Sequence, residues 1–186
     1  TGGGKKKTET QLQAEKHVRA AEAARSAGNL LRQLSEADEA RHLDPKNRRA
    51  AFADATRCGF RDPAVLVDCT AIIAPDCAVE PGVYVNAGSI IGSGSRLERF
   101  AFCNRGANIG HHCRIGAFAS IGPGAVLAGL VTIGADSQVG AGAVILPQVQ
   151  IGAGALVARG AVVARDVPDG GFAGGNPARI LARRTR

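Results

Sequence analysis

An aliphatic residue recurs at every sixth position over more than half of this sequence. The positions run from Val67 to Val163, seventeen in all, and sixteen of them hold Val, Ile or Leu; the exception is Cys103. Four residues after each of them stands Ala, Cys, Ser or Val. A period of six is neither that of an α-helix nor that of one extended strand, so it predicts a short strand and a turn, repeated many times.

Short strands joined by turns must wind into a coil. Three hexads make one triangular coil of eighteen residues, and parallel strands of successive coils then stack about 4.8 Å apart. The aliphatic side chains point inward, the small residues lie where the wall bends, and glycines relieve the turns. Such a narrow interior agrees with an aromatic content of only 4%. The predicted fold is mainly β, a parallel β-helix of 17/3, about 5.7, coils.

The chain outside the repeat divides into three further segments. Residues 1–7 are predicted to be a flexible leader, and residues 8–60 an α-helical segment with helices over 9–27, 30–43 and 46–58, because Ala, Glu, Arg, Gln and Leu dominate there. The β-helix is predicted over 65–170. Residues 171–186 form a basic C-terminal tail, which carries Arg179, Arg183, Arg184 and Arg186.

Composition excludes several classes of protein. No apolar run approaches the ~18 residues of a membrane helix, and no apolar segment follows the N-terminal lysines, so the sequence predicts a soluble, cytoplasmic protein. Five cysteines without a C-x-x-C pair predict reduced, mostly buried thiols. The net charge is +7, and the basic tail is either a solvated terminus or a contact for an anionic partner. Nucleic-acid binding is not expected, because no prism face carries a basic stripe.

One outward column of the predicted prism is apolar. Residues eighteen apart lie one above another, and this column reads Ile72, Ile90, Asn108, Val126, Val144 and Val162. The second outward column is polar and the third is mixed. Scattered exposed aliphatic residues are one interpretation, but a continuous apolar stripe is typical of an interface. We therefore expect a three-fold ring in which the apolar face of one copy meets the mixed face of the next.

The repeat contains two histidines, within the segment NIGHHCRIG (108–116). Gly129 follows His111 by eighteen residues, so its backbone amide is expected directly above the imidazole. Acyl transfer from a thioester needs a base for the attacking group and a donor for the oxyanion that forms. His111 suits the first role and the Gly129 amide the second. The alternative is a turn histidine that only forms a hydrogen bond.

The segments NRGANIGHHCRIGAFASIGPG (104–124) and VPDGGFAGGNPARIL (167–181) resemble those of the hexapeptide-repeat acetyltransferases that modify sialic acids or the amino group of nucleotide-linked amino sugars. The resemblance covers about residues 47–183. It implies a left-handed parallel β-helix, a homotrimer and acetyl-CoA as the acetyl donor. It also implies that His111 is the catalytic base, that Gly129 supplies the oxyanion amide, and that Asn104 helps to bind the acceptor. We expect His111 and Asn104 of one working site to come from different chains.

The sequence departs from the family pattern at two site positions. The acidic residue that follows the base in the family is His112 here, and a second family histidine is Ser120. Both are expected to lie in the acceptor site. The family's N-terminal nucleotide-sugar domain, a Gly-rich strand-turn-helix unit, is not recognisable in residues 1–60.

The resemblance also suggests where acetyl-CoA binds. Its pantetheine arm is expected to pass Gly129 and the small residues Gly140, Ala141 and Ala158. Its phosphates would meet Arg159, Arg165 or Arg179, since phosphate groups favour arginine.

Two other functions are alternatives. A hexapeptide-repeat carbonic anhydrase needs three zinc-binding histidines spread over two chains, with a partner five residues before the second one, where this chain has Gly106, so no metal site is predicted. A non-catalytic scaffold, in which His112 and Ser120 record decayed chemistry, is the alternative to the sugar N- or O-acetyltransferase.

Overall fold

The computed structural model describes residues 63–181, which contain the whole repeat from Val67 to Val163. The leader, the three predicted helices and the last five residues lie outside the described residues. The described part contains strands and turns and no helix. The helical segment and the domain boundaries therefore stay predictions.

The strands form three sheets, one on each wall of a triangular coil. The first sheet contains, in order, β1 (Leu66–Val67), β4 (Tyr84–Val85), β7 (Phe102–Cys103), β10 (Ser120–Ile121), β13 (Gln138–Val139), β16 (Leu156–Val157), β18 (Phe172–Gly174) and β19 (Arg179–Leu181). The second contains β2 (Ile72–Ile73), β5 (Ile90–Ile91), β8 (Asn108–Ile109), β11 (Val126–Leu127), β14 (Val144–Ile145) and β17 (Val162–Val163). The third contains β3 (Ala78–Val79), β6 (Arg96–Leu97), β9 (Arg114–Ile115), β12 (Thr132–Ile133) and β15 (Gln150–Ile151).

Residues eighteen apart pair throughout the repeat. Ser120 pairs in parallel with Phe102 on one side and with Gln138 on the other, and the other two sheets repeat this register. Each strand of the repeat, from β1 to β17, is only two residues long, so its stability comes from the backbone hydrogen bonds to the neighbouring coils rather than from its own length. The parallel β-helix predicted from the six-residue period is confirmed.

The inward aliphatic column forms the core. From Val85 to Val163 every sixth residue is buried, and the small residue four places later is buried with it. Val67, in the first described coil, is 46% exposed because it lies at the end of the stack. Of the four cysteines in the described residues, Cys103 and Cys113 are buried in the core, whereas Cys77 is half-buried and Cys69 is exposed, so the predicted burial holds for two of them. Burial raises the pKa of Cys103 to about 12 and also raises that of Cys113, which makes both thiols poor nucleophiles and poor metal ligands.

Two-residue turns join the walls and align in three corners. The turns after the second sheet form the histidine corner, with residues 75–76, 93–94, 111–112, 129–130 and 147–148. The turns after the first sheet form the glycine corner, with residues 69–70, 87–88, 105–106, 123–124, 141–142 and 159–160. The turns after the third sheet form the phenylalanine corner, with residues 81–82, 99–100, 117–118, 135–136 and 153–154.

The second residue of almost every turn adopts a left-handed backbone conformation. Glycine supplies it five times at the glycine corner, from Gly88 to Gly160. At the histidine corner residues other than glycine adopt it, and His112 has a φ of 54° and Leu130 one of 63°. Residues with a β-carbon rarely take this conformation, so the surrounding ladder must hold them in it.

The segment 171–181, within the predicted tail, extends the first sheet. β18 pairs in parallel with β16, and β19 returns antiparallel to β18. No helix among the described residues has the length and apolar character needed to cross a membrane.

The inward and outward residues of one strand should differ sharply in their effect on stability. We expect Ile151→Ala to lower the free energy of unfolding by about 2 to 5 kcal/mol, because it leaves a cavity in the core. Its exposed neighbour in β15 provides the control, and Gln150→Ala should change stability by less than about 0.5 kcal/mol. Denaturant titration of both variants checks this. Equal effects would contradict the assignment of inward and outward faces.

Candidate active site

His111 and His112 form one turn of the histidine corner, and their rings extend in opposite directions along the stack. The His111 ring lies against Gly129 of the following coil, whereas the His112 ring lies over Gly94 of the preceding coil. The left-handed backbone of His112 accounts for this divergence, because it turns the side chain away from that of its neighbour. Both side chains are exposed and reach the outer surface of the prism.

The His111 imidazole occupies the space that a side chain on Gly129 would fill. A β-carbon on Gly129 would clash with the ring, and Nε2 is the ring atom that it would meet first. The two turns are held together because the Leu130 amide donates a 2.9 Å hydrogen bond to the His111 carbonyl. The contact between His111 and Gly129 thus depends on this hydrogen bond between the two turns and on the missing side chain at residue 129.

The Gly129 amide is a free donor within residues 63–181, where no group accepts its hydrogen. Several other amides at the first position of a turn share this property, such as that of Ala141. Gly129 differs from them because an imidazole nitrogen lies beside it. The neighbouring Gly110 keeps the amide open, since a β-carbon there would lie 2.8 Å from the Gly129 nitrogen. A base and an unused backbone donor therefore share one surface.

His112 connects His111 to the coils below. The Nδ1 atoms of the two rings are 3.1 Å apart, a hydrogen-bond distance, and the rings meet edge to face. A β-carbon on Gly94 would lie 2.8 Å from His112 Nε2, so glycine at this position leaves room for the ring. Asp76 stands one coil further down in the same column, eighteen residues before Gly94.

Asp76 is oriented toward this gap. Its Oδ2 accepts a 2.6 Å hydrogen bond from the Ser93 hydroxyl and a 3.0 Å hydrogen bond from the Gly94 amide. The Ser93 hydroxyl is the main cause that lowers the pKa of Asp76, with smaller contributions from the backbone and from His112. Asp76 is thus an anion near neutral pH.

Asp76 is not among the residues predicted from the sequence. It lies two coils of eighteen residues before His112, whereas the predicted site extends along the chain around each histidine and one coil after it. The column 76, 94, 112 was the signal that would have revealed it, since a glycine between two polar residues leaves their side chains free to approach each other.

Asn104 does not meet His111 within one chain. It precedes the glycine corner, at the opposite edge of the second sheet, and is only 4% exposed. Its Oδ1 accepts hydrogen bonds from the side chain of Asn86 and from the Arg105 amide. Only its Nδ2 is left to contact an acceptor sugar. Because Asn104 and His111 lie at different corners of one prism, the predicted role of Asn104 depends on a neighbouring chain and stays a prediction.

Ser120 lies on the first sheet, between Phe102 and Gln138. It is half-buried and is separated from His111 by a corner of the prism. Its predicted place in the acceptor site therefore also requires a second chain.

The residues predicted to bind acetyl-CoA fall into groups on both edges of the second sheet. Gly140, Ala141, Ala158 and Arg159 lie together at the glycine corner, where a β-carbon on Gly140 would meet the Arg159 nitrogen at 2.6 Å. Arg165 continues the histidine corner above Gly129. Arg165 and Arg179 line a surface cavity of about 490 Å³ at the end of the described stack. Two guanidinium groups in one cavity provide charge for a phosphate.

The described residues hold no cluster of His, Cys, Asp or Glu that would bind a metal ion. The histidine pair has a third polar neighbour in Asp76, but the two rings direct their Nε2 atoms to different coils.

The contact between His111 and Gly129 gives a test by double mutation. We expect Gly129→Ala to displace the imidazole and to lower thermal stability, because the added β-carbon clashes with the ring. In a His111→Ala background the same Gly129→Ala change should be nearly neutral, since the ring is gone and residue 129 has an ordinary φ. Thermal melting of the four proteins measures this coupling. Additive effects would show that the ring does not lie against Gly129.

Comparison with known families gives one match within the repeat. Residues 130–165 match the family described as bacterial transferase hexapeptide (six repeats). A search of curated protein sequences gives no match.

Several solved structures of acetyltransferases are similar to this chain. PerB from Caulobacter crescentus, in complex with CoA and GDP-perosamine, is 37% identical with a TM-score of 0.72, and the match covers 75% of this chain and 67% of PerB. The acetyltransferase domain of PglB from Neisseria gonorrhoeae, in complex with acetyl coenzyme A, is 36% identical with a TM-score of 0.70, over 74% and 67% of the two chains. WeeI from Acinetobacter baumannii is 28% identical with a TM-score of 0.71, over the same shares. The chain thus spans about two thirds of the length of each.

Proposed function

The chain belongs to the hexapeptide-repeat sugar acetyltransferases, as its sequence predicted, and we propose that it transfers the acetyl group of acetyl-CoA to an amine of a sugar or sugar nucleotide. The observation that carries the proposal is the His111 imidazole beside the free Gly129 amide. PerB, a perosamine N-acetyltransferase, supports an amine as the acceptor, and its complex with GDP-perosamine supports a nucleotide-linked sugar.

His111 acts as the general base. Its Nε2 accepts a proton from the acceptor nitrogen as that nitrogen attacks the thioester carbonyl and the new N–C bond forms. The imidazole is exposed, so an acceptor can reach it from the outer surface. Gly129 has no side chain between the ring and the reacting carbonyl.

The Gly129 amide stabilises the oxyanion. The carbonyl oxygen of the thioester becomes negatively charged during attack, and a backbone N–H with no other partner donates to it without reorganisation. When the intermediate collapses, the C–S bond breaks and the carbonyl re-forms. The thiolate of CoA then takes the proton that His111 accepted, so the base returns to its starting state.

The donor lies in the groove between two neighbouring prisms, next to the two corners that bear the predicted binding residues. The thioester is placed at Gly129, the pantetheine arm passes Gly140, Ala141 and Ala158, and the phosphates meet Arg159, Arg165 or Arg179. The cavity lined by Arg165 and Arg179 supports the last assignment. A donor made inside the cell agrees with the cytoplasmic location that the sequence predicts.

A homotrimer completes the site. The outward column of the second sheet is exposed in one chain, with Ile72 at 64%, Ile90 at 42% and Val126 at 38%. Covering this column with a neighbouring chain removes apolar surface from water. It also supplies a route for Asn104 of one chain to approach His111 of another, since Asn104 follows a strand of the first, mixed sheet and His111 follows a strand of the second, apolar one.

Removal of the base should abolish most of the activity. We expect His111→Ala to lower kcat by at least ~10²-fold, because no other group beside Gly129 accepts the proton. Release of CoA thiol with a panel of amino sugars and their nucleotide-linked forms measures the rate. Binding of acetyl-CoA should persist in the variant, since the arginines are unchanged.

Three results bear on this proposal. A turnover equal to the parent protein would refute the role of His111. Acetylation of a hydroxyl rather than an amine would correct the acceptor class. Failure of the parent protein to bind acetyl-CoA would favour the non-catalytic scaffold.

Charge on the apolar column should dissociate the trimer. We expect the parent protein to have three times the mass of one chain by light scattering, and Val126→Glu to shift it toward the monomer, because the carboxylate would be buried without a partner. Gln150→Glu, on the exposed face of the third sheet, provides the control and should leave the mass unchanged. A monomeric parent protein would contradict the assembly.

A further inference from the structure

The structure brings two polar side chains of the histidine corner, those of Asp76 and His112, into one line on either side of a glycine. Asp76, Gly94 and His112 occupy the same turn position in three successive coils. Coils stack about 4.8 Å apart, so Asp76 and His112 are two coils apart at the backbone. Gly94 has no side chain, and the His112 ring occupies the space above it while the Asp76 carboxylate reaches its amide from below. The imidazole and the carboxylate therefore lie on either side of Gly94, close enough for an electrostatic interaction but without a direct hydrogen bond.

The hydrogen bond between the two rings restricts their tautomers. A bond between two Nδ1 atoms needs one donor and one acceptor. A base at the His111 Nε2 must have that nitrogen free, so its proton resides on Nδ1 and is donated to His112. The His112 Nδ1 is then the acceptor, and the proton of His112 resides on its Nε2.

The surroundings of the His112 Nε2 favour this arrangement. Among the described residues, the turns packed above and below the histidine pair hold Gly129 and Leu130 on one side and Ser93 and Gly94 on the other, none of them charged. Asp76 is the charged group that faces the pair from the coils below. Its two hydrogen bonds, from Ser93 and Gly94, hold its carboxylate beside the glycine that the ring covers.

We propose that Asp76 and His112 are positioning residues that hold His111 in the tautomer with a free Nε2. Asp76 favours the proton on the His112 Nε2, and His112 in turn accepts the proton on the His111 Nδ1. When His111 accepts a proton from the substrate, the carboxylate lies at the far end of the same line and offsets the new positive charge. The role in catalysis rests on the function proposed above, whereas the preference of Asp76 for a proton on the His112 Nε2, and with it the tautomer of His111, holds whatever the activity.

The tautomers can be measured without substrate. In protein labelled with ¹⁵N at histidine, we expect spectra near neutral pH to show a protonated Nδ1 for His111 and a protonated Nε2 for His112. Asp76→Asn should redistribute the His112 tautomers. The control is Asp68→Asn, because Asp68 likewise accepts a 2.6 Å bond from a hydroxyl and a 2.9 Å bond from an amide, both of Thr70, on a turn without histidine. Equal spectra for the two variants would overturn the proposal, whatever the activity.

Steady-state kinetics test the role of Asp76 during turnover. We expect Asp76→Asn to lower kcat about 3- to 10-fold with little change in KM for either substrate, because an exposed carboxylate acts through solvent-screened interactions. Asp68→Asn should leave both constants unchanged. A rise in KM alone would assign Asp76 to substrate binding and overturn the proposal.

A second variant, His112→Asp, distinguishes a positioning role of Asp76 from a structural one. His112→Asp places a carboxylate directly beside the His111 Nδ1, and Asp tolerates a left-handed backbone. We expect Asp76→Asn to cost nothing in kcat when added to His112→Asp. A loss equal to that in the parent protein would show a structural role for Asp76. If the tautomers are as expected but the protein does not transfer acetyl groups, the arrangement of protons stands and only the proposed function is refuted.

Discussion

Backbone hydrogen bonds between residues eighteen apart hold this structure together, and every site depends on them. A two-residue strand has almost no stability by itself, so each wall exists because the coil above and the coil below complete its hydrogen bonds. The buried aliphatic column from Val85 to Val163 fills the interior of that ladder. Side chains far apart along the chain, such as Asp76 and His112, are therefore fixed relative to each other by the number of coils between them.

Glycine decides which side chains can interact along a corner. His111 reaches the following coil because residue 129 has no side chain, and His112 reaches the preceding coil because residue 94 has none. At the phenylalanine corner the corresponding places hold rings, and Phe100 stacks on Phe118 at 4.9 Å between centroids. The same backbone thus produces an aromatic stack at one corner and a polar line at another. A rigid backbone ladder with glycine at a few turn positions holds a base and an oxyanion donor in a fixed geometry.

Much of the fold and part of the candidate site could be predicted from the sequence. The six-residue period predicted the coil, its register and the inward faces, because stacking depends only on counting. The segment around His111 predicted the family, which the similarity to PerB and PglB confirms. The direction of the His112 ring was not accessible, since it depends on a left-handed φ at a residue that usually avoids it. The burial of Asn104 was missed for a related reason, because its contact with Asn86 depends on side-chain rotation.

The uniform register also governs how such a protein can change in length over evolution. One residue inserted into a wall would reverse the facing of that strand and displace all later coils, so selection should remove it. A whole coil of eighteen residues can be duplicated or lost away from residues 76–130 and leave the histidine corner intact. Related proteins should therefore differ in height by complete coils, with irregular insertions confined to the turns.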